Sequence, residues 1–300
     1  MMSSYHDSVL LKESIDALAV KEDGVYVDVT FGGGGHSKEI LKRLGKNGKL
    51  FGFDQDPDAL DNIIKDDRFT LIPENFRYIT RFLRFNGVRK VDGVLADLGV
   101  SSHQFDEAER GFSIRFDADL DMRMNQKSKK SAKKIINEYS EEKLAEIFFL
   151  YGELRNSRKL ARTIVHERSS NLIATSFQLK EVLRAYLPKN REHKILAQIF
   201  QAIRIEVNEE LDVLKEFLQQ IPNLLNDEGR LSVISYHSLE DRLVKRFIRT
   251  GLFEGEPEKD VFGNSNEPLK KVGKLIIPSQ EEIKINNRAR SAKLRIATLK

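Results

Sequence analysis

The first part of the chain alternates between two patterns of apolar side chains, one typical of strands and one typical of amphipathic helices. Short runs rich in β-branched residues predict strands, because such side chains pack well on a pleated surface. These strands are expected at residues 25–29, 50–54, 68–73 and 91–102. Helical spacing separates them, and Asp56 with Pro57 marks one helix start. This repeat predicts an α/β fold with a parallel sheet covered on both faces.

The alternation stops near residue 108. Residues 109–202 show helical spacing without a convincing strand, and Thr175 and Gln178 have the spacing of a capping box. Strand patterns return at 229–238 and in two late segments, which we interpret as a pair at the sheet edge. The pattern therefore predicts three parts. They are a core beginning at 1–108, an inserted all-helical domain at 109–202 and the rest of the core at 203–300.

Composition narrows the class of protein. With 300 residues, 40% of them hydrophobic, the chain can bury a sizeable core. The absence of cysteine excludes disulfides, thiolate metal sites and cysteine nucleophiles, and no other ligand cluster predicts a metal. A net charge of +4 is compatible with a nucleic-acid partner without requiring one. No secretory signal and no long apolar run is evident, so we expect a soluble cytoplasmic protein with no membrane partner.

Four consecutive glycines follow the first predicted strand, and a helix begins at Ser37. Glycine allows a sharp turn and the close approach of a ligand. Asp54 ends the next strand about 20 residues later, where nucleotide-binding folds place a ribose-binding carboxylate. Ser37 replaces the last glycine of the dinucleotide fingerprint, which disfavours a nicotinamide cofactor. The loop suits a nucleoside without phosphate, such as S-adenosylmethionine, although a plain tight turn is the alternative.

Asp97 ends the fourth predicted strand and therefore lies at the expected ligand edge of the sheet. Its carboxylate could accept a hydrogen bond from a cofactor amino group or from a substrate amine. The alternative is a cap for its own turn, a common role of aspartate. Gln104 follows shortly after and could read the edge of an adenine, or it could be an ordinary loop residue.

The fifth strand ends in Ser235, Tyr236 and His237, which should face the same edge. Aromatic side chains stack on unpaired bases, so Tyr236 is a candidate for contact with RNA, and His237 is a second one. Packing against the insertion is the alternative for both. Ser238 and Asp241 have the spacing of a capping box, and we interpret these two residues as structural.

The densest positive stretch lies at the start of the insertion and includes Arg110, Arg123 and the lysine-rich run 127–134. Such a stretch either binds phosphate or is simply a solvated face. Binding to phosphate would make the affinity for nucleic acid fall steeply with salt.

Several longer motifs occur in order along the chain. They are Thr30-Phe-Gly-Gly-Gly-Gly-His-Ser37, Asp97-Leu-Gly-Val-Ser-Ser102, Glu109-Arg-Gly-Phe-Ser113, Leu120-Asp-Met-Arg-Met124, Phe200-Gln-Ala-Ile-Arg-Ile-Glu-Val-Asn208 and Ser235-Tyr-His-Ser-Leu-Glu-Asp-Arg242. Together they resemble the MraW/RsmH family, which consists of bacterial S-adenosylmethionine-dependent methyltransferases. These act on the exocyclic amine of a cytidine in small-subunit ribosomal RNA.

The resemblance implies a Rossmann-like methyltransferase sheet with an inserted all-helical domain that helps to recognise substrate. It implies N4-methylation of a cytidine in the decoding region of 16S rRNA, with the small subunit as partner and a plausible homodimer. It places the cofactor contacts at Gly34, Gly35, His36, Asp54, Phe76, Asp97 and Gln104. Asp97 is also the candidate catalytic acceptor for the amine proton, and Arg110, Arg123, Ser235, Tyr236 and His237 are the candidate substrate contacts.

Two other functions stay open at this point. One is a non-catalytic RNA-binding factor for ribosome assembly, against which the glycine loop, Asp54 and Asp97 argue. The other is a methyltransferase for a protein or a small molecule. The large insertion and its basic start disfavour a small substrate but do not exclude a protein. A nicotinamide enzyme is the weakest alternative because of Ser37.

Overall fold

A computed structural model describes residues 8–258, 262 and 267–300. Residues 1–7, which begin the predicted core and carry the prediction about a secretory signal, lie outside the described residues. The chain divides into two compact units, one formed by Met1–Gly99 with Leu211–Lys300 and the other by Val100–Glu210. The sequence pattern placed these boundaries at 108/109 and 202/203. Position 202 lies inside a helix that continues without a break to Asn208. The pattern of predicted strands does not show where a helix ends.

The helices and strands follow the chain in three stretches. The first contains α1 Leu11–Leu18, β1 Val25–Asp28, α2 Gly35–Arg43, β2 Lys49–Phe53, β3 Phe69–Ile72, α3 Ile79–Phe85 and β4 Val91–Asp97. The second contains α4 Ser102–Asp106, α5 Ala132–Glu138, α6 Glu141–Leu150, α7 Ser157–Arg168, α8 Ser176–Val182 and α9 Glu192–Asn208. The third contains α10 Glu210–Leu224, β5 Leu225–Ser235, α11 Ser238–Thr250, β6 Leu269–Ile276, α12 Gln280–Ile285 and β7 Lys293–Leu299.

Within the described residues, the strands form a seven-stranded sheet of order β3-β2-β1-β4-β5-β7-β6. The first five strands are parallel, and the order reverses between β1 and β4, where Rossmann-like folds bind their ligands. The α/β Rossmann-like prediction is confirmed. The expected pair of late strands at the sheet edge is confirmed, because β6 and β7 pair antiparallel, and β7 also pairs antiparallel with β5.

Neighbouring residues of each strand pack on opposite faces of the sheet, as the pleat requires. Val27 belongs to a buried cluster with side chains of α3, α10 and α11. Tyr26 belongs to a second cluster with side chains of α1 and α2. Burial on both faces explains why the strands read as nearly continuous apolar runs.

The unit of residues 100–210, all of which are described, is built from helices around its own apolar core. An isolated β-bridge joins Asp119 and Thr175. The predicted capping box is confirmed, because Thr175 Oγ1 accepts from the backbone N–H of Gln178 at 3.3 Å. In both units, no helix among the described residues has the length and apolar character needed to cross a membrane.

Candidate cofactor and acceptor site

The glycine loop after β1 has a backbone that requires glycine. Gly32 and Gly34 have φ values of +48° and +74°, in the left-handed region that other residues rarely adopt. A Cβ atom on Gly34 would lie 3.0 Å from the ring of Phe31, and one on Gly35 would collide with the side chain of Ser8. The loop is therefore bare main chain leading into α2, the kind of surface against which a nucleoside can press.

Asp54 follows β2 and holds the glycine loop in place. Its Oδ2 accepts from the backbone N–H of Gly32 at 2.8 Å, and its Oδ1 accepts from that of Asp56 at 2.9 Å. Burial raises the pKa of Asp54 to about 6, although these two hydrogen bonds lower it. A carboxylate can accept about four hydrogen bonds, so Asp54 keeps capacity for ribose hydroxyls while it orders the loop.

Asp28 lies beneath the loop and was missed by sequence reasoning. It is fully buried, and it accepts hydrogen bonds from Ser37 Oγ at 2.7 Å and from the backbone N–H of Thr30 at 3.1 Å. Burial raises its pKa, while nearby His36 and these hydrogen bonds lower it. Ser37, which broke the dinucleotide fingerprint, is thus the internal partner of a buried acid. An acid inside an apolar strand was the available signal.

His36 is buried at the start of α2. Its Nε2 lies 3.2 Å from the carbonyl oxygen of Val9, and because a carbonyl can only accept, Nε2 carries a hydrogen. The other ring nitrogen, Nδ1, lies 4.0 Å from Oδ2 of Asp97. His36 therefore turns its second nitrogen toward the acid at the end of β4.

Asp97 is fixed from two neighbouring strands. Its backbone N–H donates to Thr30 Oγ1 at 2.7 Å, and its Oδ1 accepts from the Tyr236 hydroxyl at 2.8 Å. Burial raises the pKa of Asp97 to about 6, while His36 and Tyr236 act in the opposite direction. Among the described residues, Oδ2 makes no hydrogen bond, and Nδ1 of His36 lies 4.0 Å from it. The structure thus brings Asp97, Tyr236 and His36 together.

The start of α11 differs from the predicted capping box. The N-cap residue is His237, and the capping acid is Glu240, whose Oε2 accepts from the backbone N–H groups of Tyr236 at 2.9 Å and His237 at 3.4 Å. Asp241 instead pairs with Arg295 at 2.7 Å. The interpretation of Asp241 as structural fits this ion pair, but the capping register was wrong by one residue.

Ser235 and Phe76 have mainly structural surroundings. Ser235 is buried, and its hydroxyl donates to the carbonyl oxygen of Lys293 at 3.5 Å. Phe76 follows β3 and packs edge-to-face on Phe217, with ring centroids 5.3 Å apart. Asn75, just before Phe76, donates to Gln55 at 2.8 Å and so links the loops after β3 and β2. The contact of Phe76 with a cofactor remains a prediction, and so does the contact of Ser235 with a substrate.

In the helical unit, the predicted site residues make internal hydrogen bonds. Gln104 is buried and closes the capping box of α4 by accepting from the backbone N–H of Ser101 at 3.1 Å. The Arg110 guanidinium donates to the carbonyl oxygen of Arg123 at 3.0 Å. The Arg123 guanidinium forms a fork with Asp121 at 2.8 and 2.6 Å. These contacts order the loop before α5, and the roles of the three residues toward a ligand stay predictions.

Residues 3–300 match the model of the MraW methylase family, which is nearly the whole chain. The chain belongs to this family. Among its relatives, ribosomal RNA small subunit methyltransferase H of Christiangramia forsetii is 69% identical over 297 residues, with 99% of this chain and 98% of that protein covered. The protein of the same name from Flavobacterium johnsoniae is 67% identical, with 98% and 97% covered. A solved putative rRNA-methylase from Clostridium thermocellum aligns with a TM-score of 0.47 at 15% identity over 98% of both chains.

In this member of the MraW methylase family, the sheet unit collects most of the implied cofactor contacts at one edge. The bare loop at Gly34 and Gly35, the half-buried Asp54 and the buried His36 all lie at the carboxyl ends of β1 and β2 or directly beside them. The cradle that a Cβ atom would fill and the free capacity of Asp54 fit a nucleoside with ribose hydroxyls. The residues present therefore fit the cofactor that the resemblance implied.

Proposed function

We propose that the protein transfers a methyl group from S-adenosylmethionine to the N4 amine of a cytidine in the decoding region of 16S rRNA. Membership of the MraW methylase family and the names of close relatives support methylation of small-subunit ribosomal RNA. The observation that carries the finer proposal is Asp97, a carboxylate held by two strands at the switch point of the sheet with its Oδ2 open.

The cofactor would be held by Gly34, Gly35, His36, Asp54 and Phe76 around the ends of β1 to β3, together with Asp97 and Gln104. Asp54 would accept hydrogen bonds from the ribose while it continues to hold Gly32. When bound, S-adenosylmethionine supplies a methyl group on a positively charged sulfur that leaves as a neutral thioether. Because the leaving group needs no proton, the protein's main task is to align the amine with the methyl carbon.

Asp97 would orient the amine and accept its proton. The lone pair of the cytosine amine is delocalised into the ring, and a hydrogen bond from the amine to Oδ2 favours the twisted geometry that frees it. The same oxygen would take the amine proton, a general-base role that is typically worth 10²–10⁴-fold in rate. Nδ1 of His36 lies 4.0 Å from Oδ2, beside the proposed position of that proton. Tyr236 would act as a positioning residue through its hydrogen bond to Oδ1.

The RNA would approach from the carboxyl edge of the sheet. His237, Ser235 and the ring of Tyr236 at the end of β5 are the proposed contacts in the sheet unit, and Arg110 and Arg123 are those in the helical unit. We propose the small ribosomal subunit in the cytoplasm as the physiological substrate. Arg110 and Arg123 shape the loop through their internal hydrogen bonds. In this proposal they also contact phosphate.

The test is methyl transfer from labelled S-adenosylmethionine to small subunits, to naked 16S rRNA and to total ribosomal protein, followed by nucleoside analysis. We expect N4-methylcytidine, formed by the wild-type protein and far more slowly by Asp97→Asn. RNA binding without any transfer would instead indicate an assembly factor. Label recovered in protein would indicate a protein methyltransferase.

A further inference from the structure

A groove lies beside the end of β5, between the first residues of α11 and the segment that leads into β7. It encloses about 500 Å³, within the range of small-ligand sites. Tyr236, His237 and Ser238 form one side, and Ile277, Ile283 and Arg290 belong to the other. Tyr236 lines the groove and also holds Asp97, so one residue links the groove to the proposed acceptor site.

The groove combines apolar and cationic surface. Ile277, on the apolar side, is 64% exposed. Arg290 is exposed and has no acidic partner among the described residues. Lys293 shares Asp241 with Arg295, at 3.3 and 2.7 Å, so that two cations face one acid. The groove therefore carries an excess of positive charge beside an apolar wall.

The start of α11 holds the ring of His237. Its side chain is 10% exposed, and its Nε2 lies 3.2 Å from Oε1 of Glu240. His237 lines the groove at the N-cap of α11.

The second wall is held firmly. Ala289 and Ala292 are buried in a cluster with Val9, Leu10 and residues of β7. Glu282, in α12, accepts from the backbone N–H of Leu10 at 2.7 Å. The groove is thus preformed, which reduces the entropy cost of binding a flexible ligand.

We infer that this groove binds the nucleotide that adjoins the target cytidine in single-stranded RNA. Arg290 contacts its phosphate, and Ile277 and Ile283 pack against its base. A strand whose cytosine lies at Asp97 has to place a neighbouring nucleotide close to Tyr236. Its anionic backbone and apolar base faces match the two surfaces of the groove. The inference rests on RNA being the substrate proposed above.

The experiment compares full-length Arg290→Ala with Arg89→Ala. Arg89 is also an exposed arginine, but it lies before β4, at the amino ends of the parallel strands, whereas the groove lies beside the carboxyl end of β5. The probe is a short, end-labelled single-stranded RNA containing the target cytidine, and its Kd is measured by fluorescence anisotropy across a salt series. We expect Arg290→Ala to raise the Kd about tenfold. It should also reduce the salt slope by about 0.7, the value for one phosphate contact in a single strand.

Methyl transfer is measured in parallel. Arg290→Ala should raise the KM for RNA and leave kcat and the Kd for S-adenosylmethionine unchanged, whereas Arg89→Ala should match the wild type throughout. Equal RNA affinity of the two variants overturns the inference. A change in the sedimentation of Arg290→Ala without RNA, at unchanged RNA affinity, also overturns it and indicates an interface between copies of the chain.

These experiments distinguish failure of the proposed function from failure of the groove assignment. If the wild type transfers no methyl group to RNA, the proposed function is wrong. The anisotropy comparison still decides whether Arg290 contacts RNA. If the wild type does methylate RNA while both variants bind RNA equally well, only the groove assignment is wrong.

Discussion

The Tyr236 hydroxyl donates a 2.8 Å hydrogen bond to Oδ1 of Asp97 and so joins the ends of β5 and β4. This bond lowers the pKa of Asp97, which burial has raised to about 6. We therefore expect Tyr236→Phe to move the acid limb of the kcat/KM profile to higher pH while the Kd for S-adenosylmethionine stays the same. Tyr26→Phe is the control, because it removes a hydrogen bond at the amino end of β1. An unchanged acid limb in Tyr236→Phe would contradict the positioning role.

Asp97→Asn tests the acceptor itself. Asparagine keeps the size of the side chain and an oxygen for Tyr236 but cannot take a proton. We expect kcat to fall by about 10²–10⁴-fold, the usual effect of losing a general base. Single-turnover kinetics and cofactor titration separate the two possible roles of Asp97. Loss of cofactor affinity alone would make Asp97 a binding residue, and full turnover with normal affinity would exclude both roles.

The same variant makes a prediction for stability. The pKa of Asp97 lies at about 6 in the folded protein against an ordinary 3.8, so the folded state holds the proton more tightly than the unfolded state. Ionisation of Asp97 thus lowers the free energy of unfolding as pH rises from about 4 to about 6, by at most about 3 kcal/mol. Asp97→Asn should consequently be more stable than the wild type at pH 7.5 and lose this advantage near pH 4. Urea denaturation at the two pH values measures the difference.

Gly34→Ala and Gly87→Ala form a matched pair. Both glycines have left-handed backbone, with φ of +74° and +76°, so alanine should cost about 1 kcal/mol of stability at either position. A Cβ at Gly87 meets nothing within 4 Å, whereas at Gly34 it would crowd Phe31. We expect only Gly34→Ala to weaken cofactor binding, as measured by isothermal titration calorimetry. Equal cofactor affinity of the two variants would remove the loop from the cofactor site.

Asp54→Asn should weaken cofactor binding by about 10–100-fold, because hydrogen bonds to a charged group are worth about 1.5–3 kcal/mol. The asparagine can no longer accept from both Gly32 and Asp56 through charged oxygens, so the loop should also lose order. Asp67→Asn, at an exposed position before β3, is the control for the loss of one negative charge. Normal affinity in Asp54→Asn would place the ribose elsewhere.

The sheet could be predicted from the sequence because strands buried on both faces leave continuous apolar runs. Asp54 and Asp97 could be singled out for the same reason, since each acid directly follows such a run. The helix expected after Asp56 is only a six-residue 3₁₀ helix, Pro57–Asn62, although Asp56 caps it as its position indicated. The cap was visible in the sequence, but the length of the helix depends on packing that the sequence does not display.

Side-chain partners were harder to predict, because many of them join residues from different elements of the fold. Ser37 bonds to Asp28, and Arg295 pairs with Asp241, 54 residues earlier in the chain. The local sequence does not show whether Glu240 or Asp241 is the capping acid. The fold shows it, because Asp241 pairs with Arg295 instead. The internal hydrogen bonds of Arg110 and Arg123 could not be predicted either. A positively charged stretch has the same sequence pattern whether its side chains face solvent or bond to neighbouring carbonyl groups.

The position of β7 sets the order in which the protein can mature during its own synthesis. β7 is translated after β6, yet it lies between β5 and β6 in the sheet. Until residues 293–299 emerge, a nascent chain has an open β5 edge and an Asp241 without its cations, and exposed edges of this kind invite aggregation. A chain interrupted before Lys293 would therefore keep this edge open, and the groove beside β5 would stay incomplete until Lys293 has been synthesised.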